Sequence, residues 1–280
     1  MQIGKFKTEL LIAGFFRLDG GASFGIIPKA IWQKVCPPDE QNRIRVSSRP
    51  LLIQTGKKNI LIDTGMGNKW DEKGMKMYSI ENEPSLLASL KKLNIEPEAI
   101  DIVINTHLHF DHSGGNTIIA DGKIKPAFPK ARYVIQKGEW EYALNPDDRS
   151  AGSYLKENYL PLMEEFVQVD LIEGDARICE GVSVIMSTGH TTFHQSVLIE
   201  SEGMKLFYPG DIMPTSMHVH LPWVMAYDMA PIESVNTRKK LIERAIDENW
   251  LIALEHDPVQ EFGRLRIEKG KFIFVPEIVS

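Results

Sequence analysis

The chain lacks three features that would each point to a particular class of protein: paired cysteines, a surplus of basic residues and a long apolar segment. Its 280 residues contain two cysteines, Cys36 and Cys179, outside any Cys-x-x-Cys pair. The sequence is compatible with one disulfide between them, but two isolated thiols are more typical of a protein in a reducing cytoplasm than of a disulfide scaffold. Acidic residues outnumber basic ones by 38 to 32, for a formal net charge of −6. Nucleic-acid-binding proteins usually carry a basic patch, so we expect no nucleic acid partner.

The N-terminal region has one apolar run, residues 10–16, and no small-residue cleavage site follows it. A membrane-spanning helix needs about 20 apolar residues, so the run predicts a first β-strand, no membrane association and a cytoplasmic location. Hydrophobic residues make up 43% of the chain, which is enough for an ordinary globular core. Because the sequence shows no repeat, low-complexity tract or linker, we predict a single domain over residues 1–280.

Apolar runs and helical spacing predict strands interrupted by a few helices. The glycine-rich stretch DGGASFG predicts a sharp turn, since glycine tolerates positive φ. The polar region 145–165 predicts an inserted loop and helix over one face. The other predicted elements are a hairpin at 51–63, an amphipathic helix at 83–94, a buried strand at 99–105, a helix at 137–144, strands at 182–190, 194–200 and 204–211, a helix at about 231–249 and a closing hairpin at 263–277.

Three of the eight histidines are crowded into the segment NTHLHFDHSGGN, as His107, His109 and His112, with Asp111 among them. Histidine is the commonest metal ligand, and a neighbouring carboxylate suits a divalent cation. Residues two apart in an extended segment point the same way, so His107 and His109 can reach one cation. A turn after Phe110 would aim Asp111 and His112 at a second cation. The following SGGN predicts the start of a helix with free N–H groups facing the site.

Three further candidate ligands stand at the ends of other predicted strands. His190 follows VSVIMSTG, Asp211 follows MKLFYPG, and His256 follows WLIALE. Side chains at strand ends are displayed at one edge of a sheet on rigid supports. A nitrogen and oxygen ligand set without cysteine suits Zn²⁺ and would also accept Co²⁺, Mn²⁺ or Fe²⁺. The alternative for the cluster is a histidine-rich polar loop, which these distant partners disfavour.

The HxHxDH pattern, with the three later ligands in order, resembles the metallo-β-lactamase superfamily over roughly residues 45–260. The resemblance implies a four-layer αββα sandwich, in which two mixed β-sheets are flanked by helices. It implies that Asp63, in LIDTG, supports a ligand by a hydrogen bond from outside the ligand set. It also implies two divalent cations, the first bound by His107, His109 and His190, the second by Asp111, His112 and His256, with Asp211 bridging both.

Such a centre implies metal-assisted hydrolysis by a hydroxide shared between two cations. The resemblance gives catalytic roles to Asp211, as the bridge, and to Asp111, which would orient the hydroxide and pass a proton to the leaving group. The segments DGGASFGIIPKAIW, TGHTTFHQSVLI and GDIMPTSMHVHLPWVMAYD resemble the branch that contains quorum-quenching N-acyl-homoserine lactonases and organophosphate hydrolases. That branch implies a small lactone or ester substrate with an apolar tail.

Four residues are candidates for contacting the substrate. Phe24 and Trp223 lie in predicted loops beside glycine or proline, although core packing is the alternative for each. Lactonases of this branch place a tyrosine three residues after the bridging aspartate, where this chain has Pro214. Tyr227 or His218 could replace that tyrosine from the same loop.

Two other histidines have different expected roles. His194 is predicted to begin the strand that follows, in a structural role. His220 shares its loop with the candidate His218. We expect either that one of the two faces the substrate cavity or that both have a surface or packing role.

Several other functions remain open on the same ligand set. An arylesterase or phosphotriesterase would use the same hydroxide, and so would a glyoxalase II-like thioesterase. A β-lactam hydrolase is disfavoured because its second metal site departs from HxHxDH. A di-iron oxygen or nitric oxide reductase would have a glutamate where this chain has His109. The segment FGIIPKAIW and region 145–165 could cover a homodimer contact.

Overall fold

The computed structural model describes residues 1–163 and 167–278. Within these ranges no helix is both long and apolar enough to cross a membrane. The strands are β1 Gln2–Ile3, β2 Phe6–Leu10, β3 Phe15–Asp19, β4 Arg43–Ser47, β5 Leu51–Gln54, β6 Asn59–Ile62, β7 Ile102–Ile104, β8 Thr117–Ala120, β9 Lys123–Pro126, β10 Arg132–Gln136, β11 Gln168–Ile172, β12 Ala176–Cys179, β13 Val182–Met186, β14 Gln195–Ser201, β15 Met204–Tyr208, β16 Leu251–Ala253, β17 Phe262–Glu268 and β18 Lys271–Pro276. The α-helices are α1 Gly20–Phe24, α2 Lys29–Trp32, α3 Glu72–Tyr78, α4 Leu86–Lys92, α5 Phe110–Ser113, α6 Lys137–Leu144 and α7 Pro231–Asp247.

Two seven-stranded sheets form the centre of the fold. The first has the order β1-β2-β5-β6-β7-β10-β11, antiparallel from β1 to β6 and parallel from β6 to β11. The second follows chain order from β12 to β18 and is antiparallel except for β15 and β16. That parallel pair needs a crossover connection, which α7 provides. Both sheets are therefore mixed.

Alternating side chains divide the core into layers. In β5, Leu51 and Ile53 join the cluster between the sheets, whereas Leu52 joins the cluster on the outer face with α4 and α6. Ile242 and Ala245 of α7 cover the outer face of the second sheet. This division follows from the two-residue period of a strand, which sends successive side chains to opposite faces. The layers are helix, sheet, sheet and helix, which confirms the predicted αββα sandwich.

The strongly periodic elements lie where the sequence predicts them. The hairpin of β5 and β6, the helices α4, α6 and α7, and the closing hairpin of β17 and β18 all match their predicted segments. Each combines a clear apolar period with a recognisable boundary. Ser85, for example, caps α4 by accepting a hydrogen bond from the Ala88 N–H at 3.2 Å. Local pattern and tertiary packing agree in these elements.

Four local predictions were wrong or incomplete. The apolar run 10–16 is not one first strand: it covers the end of β2, four residues outside any strand and the start of β3. DGGASFG is the short helix α1 rather than a turn, because Asp19 caps it by accepting from the Ala22 N–H at 2.8 Å. SGGN does not open a helix: α5 begins at Phe110, and the glycines follow it as a 3₁₀ turn. A Cβ on Gly114 would collide with the carbonyl oxygen of Met66, so this close approach requires glycine. Region 145–163 contains only 3₁₀ turns, and residues 164 and 165 of the predicted insertion lie outside the described ranges.

Candidate metal centre

The seven predicted ligands lie on loops and short helical turns that leave the sheets at one edge. Strands β13, β15 and β16 run in the same direction, so the loops at their C-terminal ends share that edge. The loop after β7 meets them there and continues into α5. All seven side chains are buried: His107, His109, Asp111, His112, His190, Asp211 and His256.

The first group of ligands has the spacing of a cation site. The ligand atoms of His107, His109 and His190 lie within 4.8 Å of one another. Nε2 of His190 is 3.1 Å from Nδ1 of His109. Tetrahedral coordination at a Zn–N distance of about 2.0–2.1 Å would place ligand nitrogens about 3.3 Å apart. In the described part of the chain Nε2 of His107 has no hydrogen-bond partner, so a lone pair is available for a cation.

The second group lies beside the first, with Asp211 between them. Nε2 of His256 is 3.1 Å from Nε2 of His112 and 3.7 Å from Oδ2 of Asp111. Oδ1 of Asp211 is 3.1 Å from Nε2 of His256, and its Oδ2 is 3.2 Å from Nε2 of His190. The two carboxylate oxygens therefore face the two groups separately, as a bridging ligand requires. These residues fit a pair of divalent cations.

Burial and mutual charge prepare these side chains to bind cations. Burial and the neighbouring imidazoles hold the pKa values of His107 and His109 well below the usual range, so both rings are neutral. Burial would raise the pKa of Asp211, but the imidazoles of His112, His256 and His190 outweigh it and hold that pKa well below the usual range. Burial would lower the pKa of His256, but Asp211 raises it to about 9. A cation would take the place of the proton on such a ring.

Hydrogen bonds outside the ligand set fix the orientation of three imidazoles. Nδ1 of His112 is 3.1 Å from Oδ2 of Asp63. Nδ1 of His190 is 2.9 Å from Oδ1 of Asp228, and Nδ1 of His256 donates to the carbonyl oxygen of Ser47 at 2.7 Å. Each bond occupies Nδ1 and leaves Nε2 for a cation. Asp63 thus lies within hydrogen-bond distance of a candidate ligand, and its supporting role stays a prediction.

The sequence pattern missed Asp228 and Ser47. Asp228 is 38 residues from His190, and Ser47 is 209 residues from His256. No local motif connects residues so far apart, and only the fold brings them together.

His194 holds the loop of Asp211 and lies outside the ligand groups. It is fully buried, and its Nδ1 is 2.7 Å from Oγ of Ser187. Its Nε2 accepts a hydrogen bond from the backbone N–H of Asp211 at 3.1 Å. Burial and the neighbouring His190 keep the pKa of His194 well below its usual range, so the ring remains a neutral acceptor. The structure thus places it in a supporting role.

A third residue missed by the sequence pattern, Glu139 of α6, joins the two loops that carry the first group of ligands. Its Oε1 accepts hydrogen bonds from the Leu108 N–H at 3.0 Å and from the Tyr154 hydroxyl at 2.8 Å. Its Oε2 accepts from Oγ1 of Thr191 at 2.8 Å. Leu108 lies between His107 and His109, and Thr191 follows His190. One buried carboxylate therefore sets the spacing of three histidines.

Replacing Glu139 by Gln should weaken cation binding without unfolding the protein. The amide has one acceptor oxygen in place of two, so at least one buried donor loses its partner, at a cost of about 1–3 kcal/mol. Loss of such a supporting contact typically reduces metal affinity about 10- to 100-fold. Competition with a chromophoric chelator would measure the change. The matched control, Glu141→Gln, alters an exposed residue of the same helix and should bind like wild type. Equal affinities in the two variants would contradict this role.

The region 145–163 contributes to the same site. The ring of Tyr154 contacts the imidazole of His109, with 4.8 Å between ring centroids, and Ser153 lines the cavity above the ligands. Nη2 of Arg149 donates to the carbonyl oxygen of Asp228 at 3.0 Å. As predicted, this region covers one face, and it does so with side chains that fix the ligand loops.

A cavity of about 760 Å³, counting its open mouth, has the ligand groups as its floor. The apolar part of the cavity wall is formed by Ile44, Val46, Phe110 and Met225. Two phenol rings, those of Tyr78 and Tyr227, also line the wall. Among the described residues that line the cavity, none is Lys or Arg. The site therefore combines a cation-binding floor with mostly apolar walls that carry no positive charge.

Two of the four predicted substrate contacts line this cavity. Tyr227 does so with a partly exposed ring. His218 also lines it, but its Nδ1 pairs with Oγ1 of Thr215 at 2.8 Å and its Nε2 with the carbonyl oxygen of Ser23 at 3.0 Å. Burial lowers the pKa of His218 to about 4, so the ring is neutral and both nitrogens are occupied. His218 can shape the cavity but cannot donate a hydrogen bond to a substrate there. Its neighbour His220 is half-buried and lies outside this cavity.

The other two predicted contacts, Phe24 and Trp223, lie one layer behind the cavity. The ring of Phe24 stacks on His218 at 5.7 Å and meets the ring of Trp223 at 5.2 Å. The prediction placed Phe24 in an open loop, but α1 turns it inward, where it is 1% exposed. Tyr78, at the end of α3, takes a place on the wall that the sequence pattern did not predict.

An αββα sandwich with this His and Asp centre at one edge of its sheets has the architecture of a metal-dependent hydrolase. Residues 45–256 match the family model of the metallo-beta-lactamase superfamily. The match covers more than half of the sequence, and the chain belongs to that superfamily.

Relatives and solved structures agree with this assignment. An N-acyl homoserine lactonase from a Bacillus species is 29% identical over 218 residues, covering 76% of this chain and 79% of that protein. The crystal structure of a probable metal-dependent hydrolase from Staphylococcus aureus has 32% identity and a TM-score of 0.89, with full coverage of both chains. An N-acyl homoserine lactone hydrolase with N-hexanoyl-L-homoserine at its catalytic metal centre has 26% identity and a TM-score of 0.70, covering 92% and 95% of the two chains.

Proposed function

We propose that this metallo-hydrolase opens lactones, such as N-acyl-homoserine lactones, with two divalent cations at its centre, and that Zn²⁺ suits the ligand set best. The observation that carries the proposal is the contrast between the floor of the cavity and its walls. A neutral ester group can reach the cations while an apolar acyl tail contacts Ile44, Val46, Phe110 and Met225. The Bacillus relative, an N-acyl homoserine lactonase, supports the same substrate class.

The residues of the chain divide the chemistry between them. Two cations in this site would lower the pKa of a shared water to about 7 and polarise the lactone carbonyl. Asp211 would hold both cations in place with one oxygen for each. Asp111 lines the cavity, and its Oδ2 lies 3.9 Å from Nε2 of His112 and 3.7 Å from Nε2 of His256. Its carboxylate would carry a proton to the alkoxide released when the ring opens.

Position 214 is a proline in this chain, whereas lactonases of this branch have a tyrosine there. A phenol on the cavity wall would orient the substrate carbonyl in place of that tyrosine. Tyr78 and Tyr227 both line the cavity. Burial raises the pKa of each, so both keep their protons at neutral pH and can donate. His218 is the weaker candidate for this role because both of its nitrogens are occupied.

The charge of the cavity walls favours some of the alternative hydrolase activities over others. Lactoylglutathione carries carboxylates, and in this cavity they would meet Asp111 and Asp211 without a Lys or Arg on the described walls. This disfavours a glyoxalase II-like thioesterase. An arylesterase or phosphotriesterase activity is the second candidate, because its neutral substrates suit the same walls.

A substrate panel on metal-quantified protein tests the proposal. We expect kcat/KM for an N-acyl-homoserine lactone to exceed that for lactoylglutathione and benzylpenicillin by about 100-fold, or roughly 2.7 kcal/mol. Turnover of an aryl ester and of a phosphotriester in the same panel would test the arylesterase or phosphotriesterase activity. Faster turnover of lactoylglutathione than of any lactone would refute the lactonase proposal.

Three broader features remain proposals of the same kind. The core shared by the two sheets supports a single domain over residues 1–280. Exposed Ile26 and Ile31 support a homodimer contact through the N-terminal segment. The two free cysteines support a cytoplasmic location.

A further inference from the structure

Glu255 is a buried carboxylate that has no part in the chemistry described above. It immediately precedes the ligand His256 and is 1% exposed. Its Oε2 lies 3.1 Å from Nδ1 of His112. Neither of its oxygens has a hydrogen-bond partner within the described ranges, and no Lys or Arg there forms an ion pair with it. A buried carboxylate that accepts no hydrogen bond and pairs with no Lys or Arg is costly, so its presence needs an explanation.

Asp63 contacts the same imidazole but has a different environment. Its Oδ1 accepts from the Thr106 N–H at 2.8 Å, and its Oδ2 accepts from the Thr106 hydroxyl at 2.7 Å. Nδ1 of His112 is in hydrogen-bonding geometry with Asp63 and not with Glu255, although both carboxylates are 3.1 Å away. The hydrogen bond to Asp63 is therefore enough to orient His112. Glu255 acts on the ring through its charge.

Glu255 is one of five buried carboxylates that contact the candidate ligand imidazoles within the described ranges. Asp63, Asp111, Asp211 and Glu255 lie within 4 Å of His112, and Asp228 pairs with His190. Charges at this spacing in a buried site interact far more strongly than in water. The negative charge of Glu255 therefore acts on the positive charge that His112 carries or binds.

We propose that Glu255 is a positioning residue for the second cation, acting through the imidazole of His112. This inference rests on the proposed two-cation centre. Through the ring, the carboxylate strengthens the electrostatic attraction between His112 and the cation bound with Asp111 and His256. In return, the cation places positive charge close to Glu255.

Cation binding by Glu255→Gln tests the inference. Metal-free protein would be titrated with Zn²⁺ by calorimetry and with Co²⁺ by visible absorption. We expect the second cation to bind about 10- to 100-fold more weakly, with the first unchanged. The melting temperature of the metal-free variant should equal or exceed that of wild type, because the substitution removes a buried charge that no Lys or Arg balances while His112 keeps its bond to Asp63. A residue with a purely structural role would not weaken the binding of the second cation while leaving the melting temperature of the metal-free protein unchanged or higher.

Two further variants make the test specific. Glu255→Asp keeps the charge and should retain the second cation within a few-fold of wild type. Glu268→Gln removes an exposed carboxylate of β17 and should change neither affinity. Unchanged affinities in Glu255→Gln would overturn the inference. Equal weakening of both cations, together with a lower melting temperature of the metal-free protein, would also overturn it.

The readout separates this inference from the proposed function. Cation binding is measured without substrate, so activity toward lactones does not enter the result. A wild-type chain that binds two cations but opens no lactone would refute the proposed function alone. Normal binding of both cations by Glu255→Gln in an active lactonase would refute the inference alone.

Discussion

Asp211→Asn should reduce kcat/KM toward the best lactone by at least about 1,000-fold, equivalent to roughly 4 kcal/mol. The two oxygens of Asp211 lie 3.1 Å from Nε2 of His256 and 3.2 Å from Nε2 of His190, so one carboxylate serves both ligand groups. An asparagine keeps the shape but has one acceptor oxygen and no charge. Steady-state kinetics together with the metal content per chain would measure the loss, and His107→Ala should have a comparable effect.

The matched control for this prediction is Asp121→Asn. Asp121 is an exposed carboxylate at the turn between β8 and β9, and its loss should leave activity and metal content unchanged. Circular dichroism would establish that Asp211→Asn remains folded. If the folded Asp211 variant kept a tenth of wild-type activity, the proposed bridging role would be wrong.

Removal of divalent cations by a chelator should abolish activity and lower the melting temperature. Without cations, the side chains of Asp111 and Asp211 retain only the neighbouring imidazoles as charged partners in the described part of the chain. Each ligand that binds only the folded state stabilises it by about 2.7 kcal/mol at 100 times its dissociation constant. Zn²⁺, Co²⁺ or Mn²⁺ should then restore activity and stability together. Thermal unfolding and lactone hydrolysis would be followed on the same sample.

The Asp211→Asn variant also serves as the control for chelation. Because it should hold its cations weakly, its melting temperature should fall less than that of wild type under the same treatment. A wild-type enzyme that remained fully active after exhaustive chelation would exclude a metal-dependent mechanism.

The candidate ligands could be predicted because their information is local. In NTHLHFDH the backbone changes from extended to helical at Phe110, so the spacing alone separates His107 and His109 from His112. The strands before His190, Asp211 and His256 have apolar runs that a buried strand requires. Such runs and their ends are visible in any short window of the sequence.

The supporting residues could not be predicted in this way. Glu139 is 31 residues from Leu108, and Asp228 is 38 residues from His190. The sequence around each shows only an ordinary amphipathic helix or a polar loop. Phe24 illustrates the opposite error, since a glycine-rich segment that we predicted to be a sharp turn forms a helix and buries its aromatic ring.

The sequence by itself determined the candidate ligand residues and the layered fold, because side-chain chemistry, strand period and local spacing are properties of the chain alone. Tertiary structure alone decided which distant groups complete the site: the contacts of Glu139, Asp228 and Glu255, and the phenols of Tyr78 and Tyr227 on the cavity wall. Those contacts depend on how the two sheets pack and where their loops meet. Packing is a property of the whole core, and no short segment specifies it.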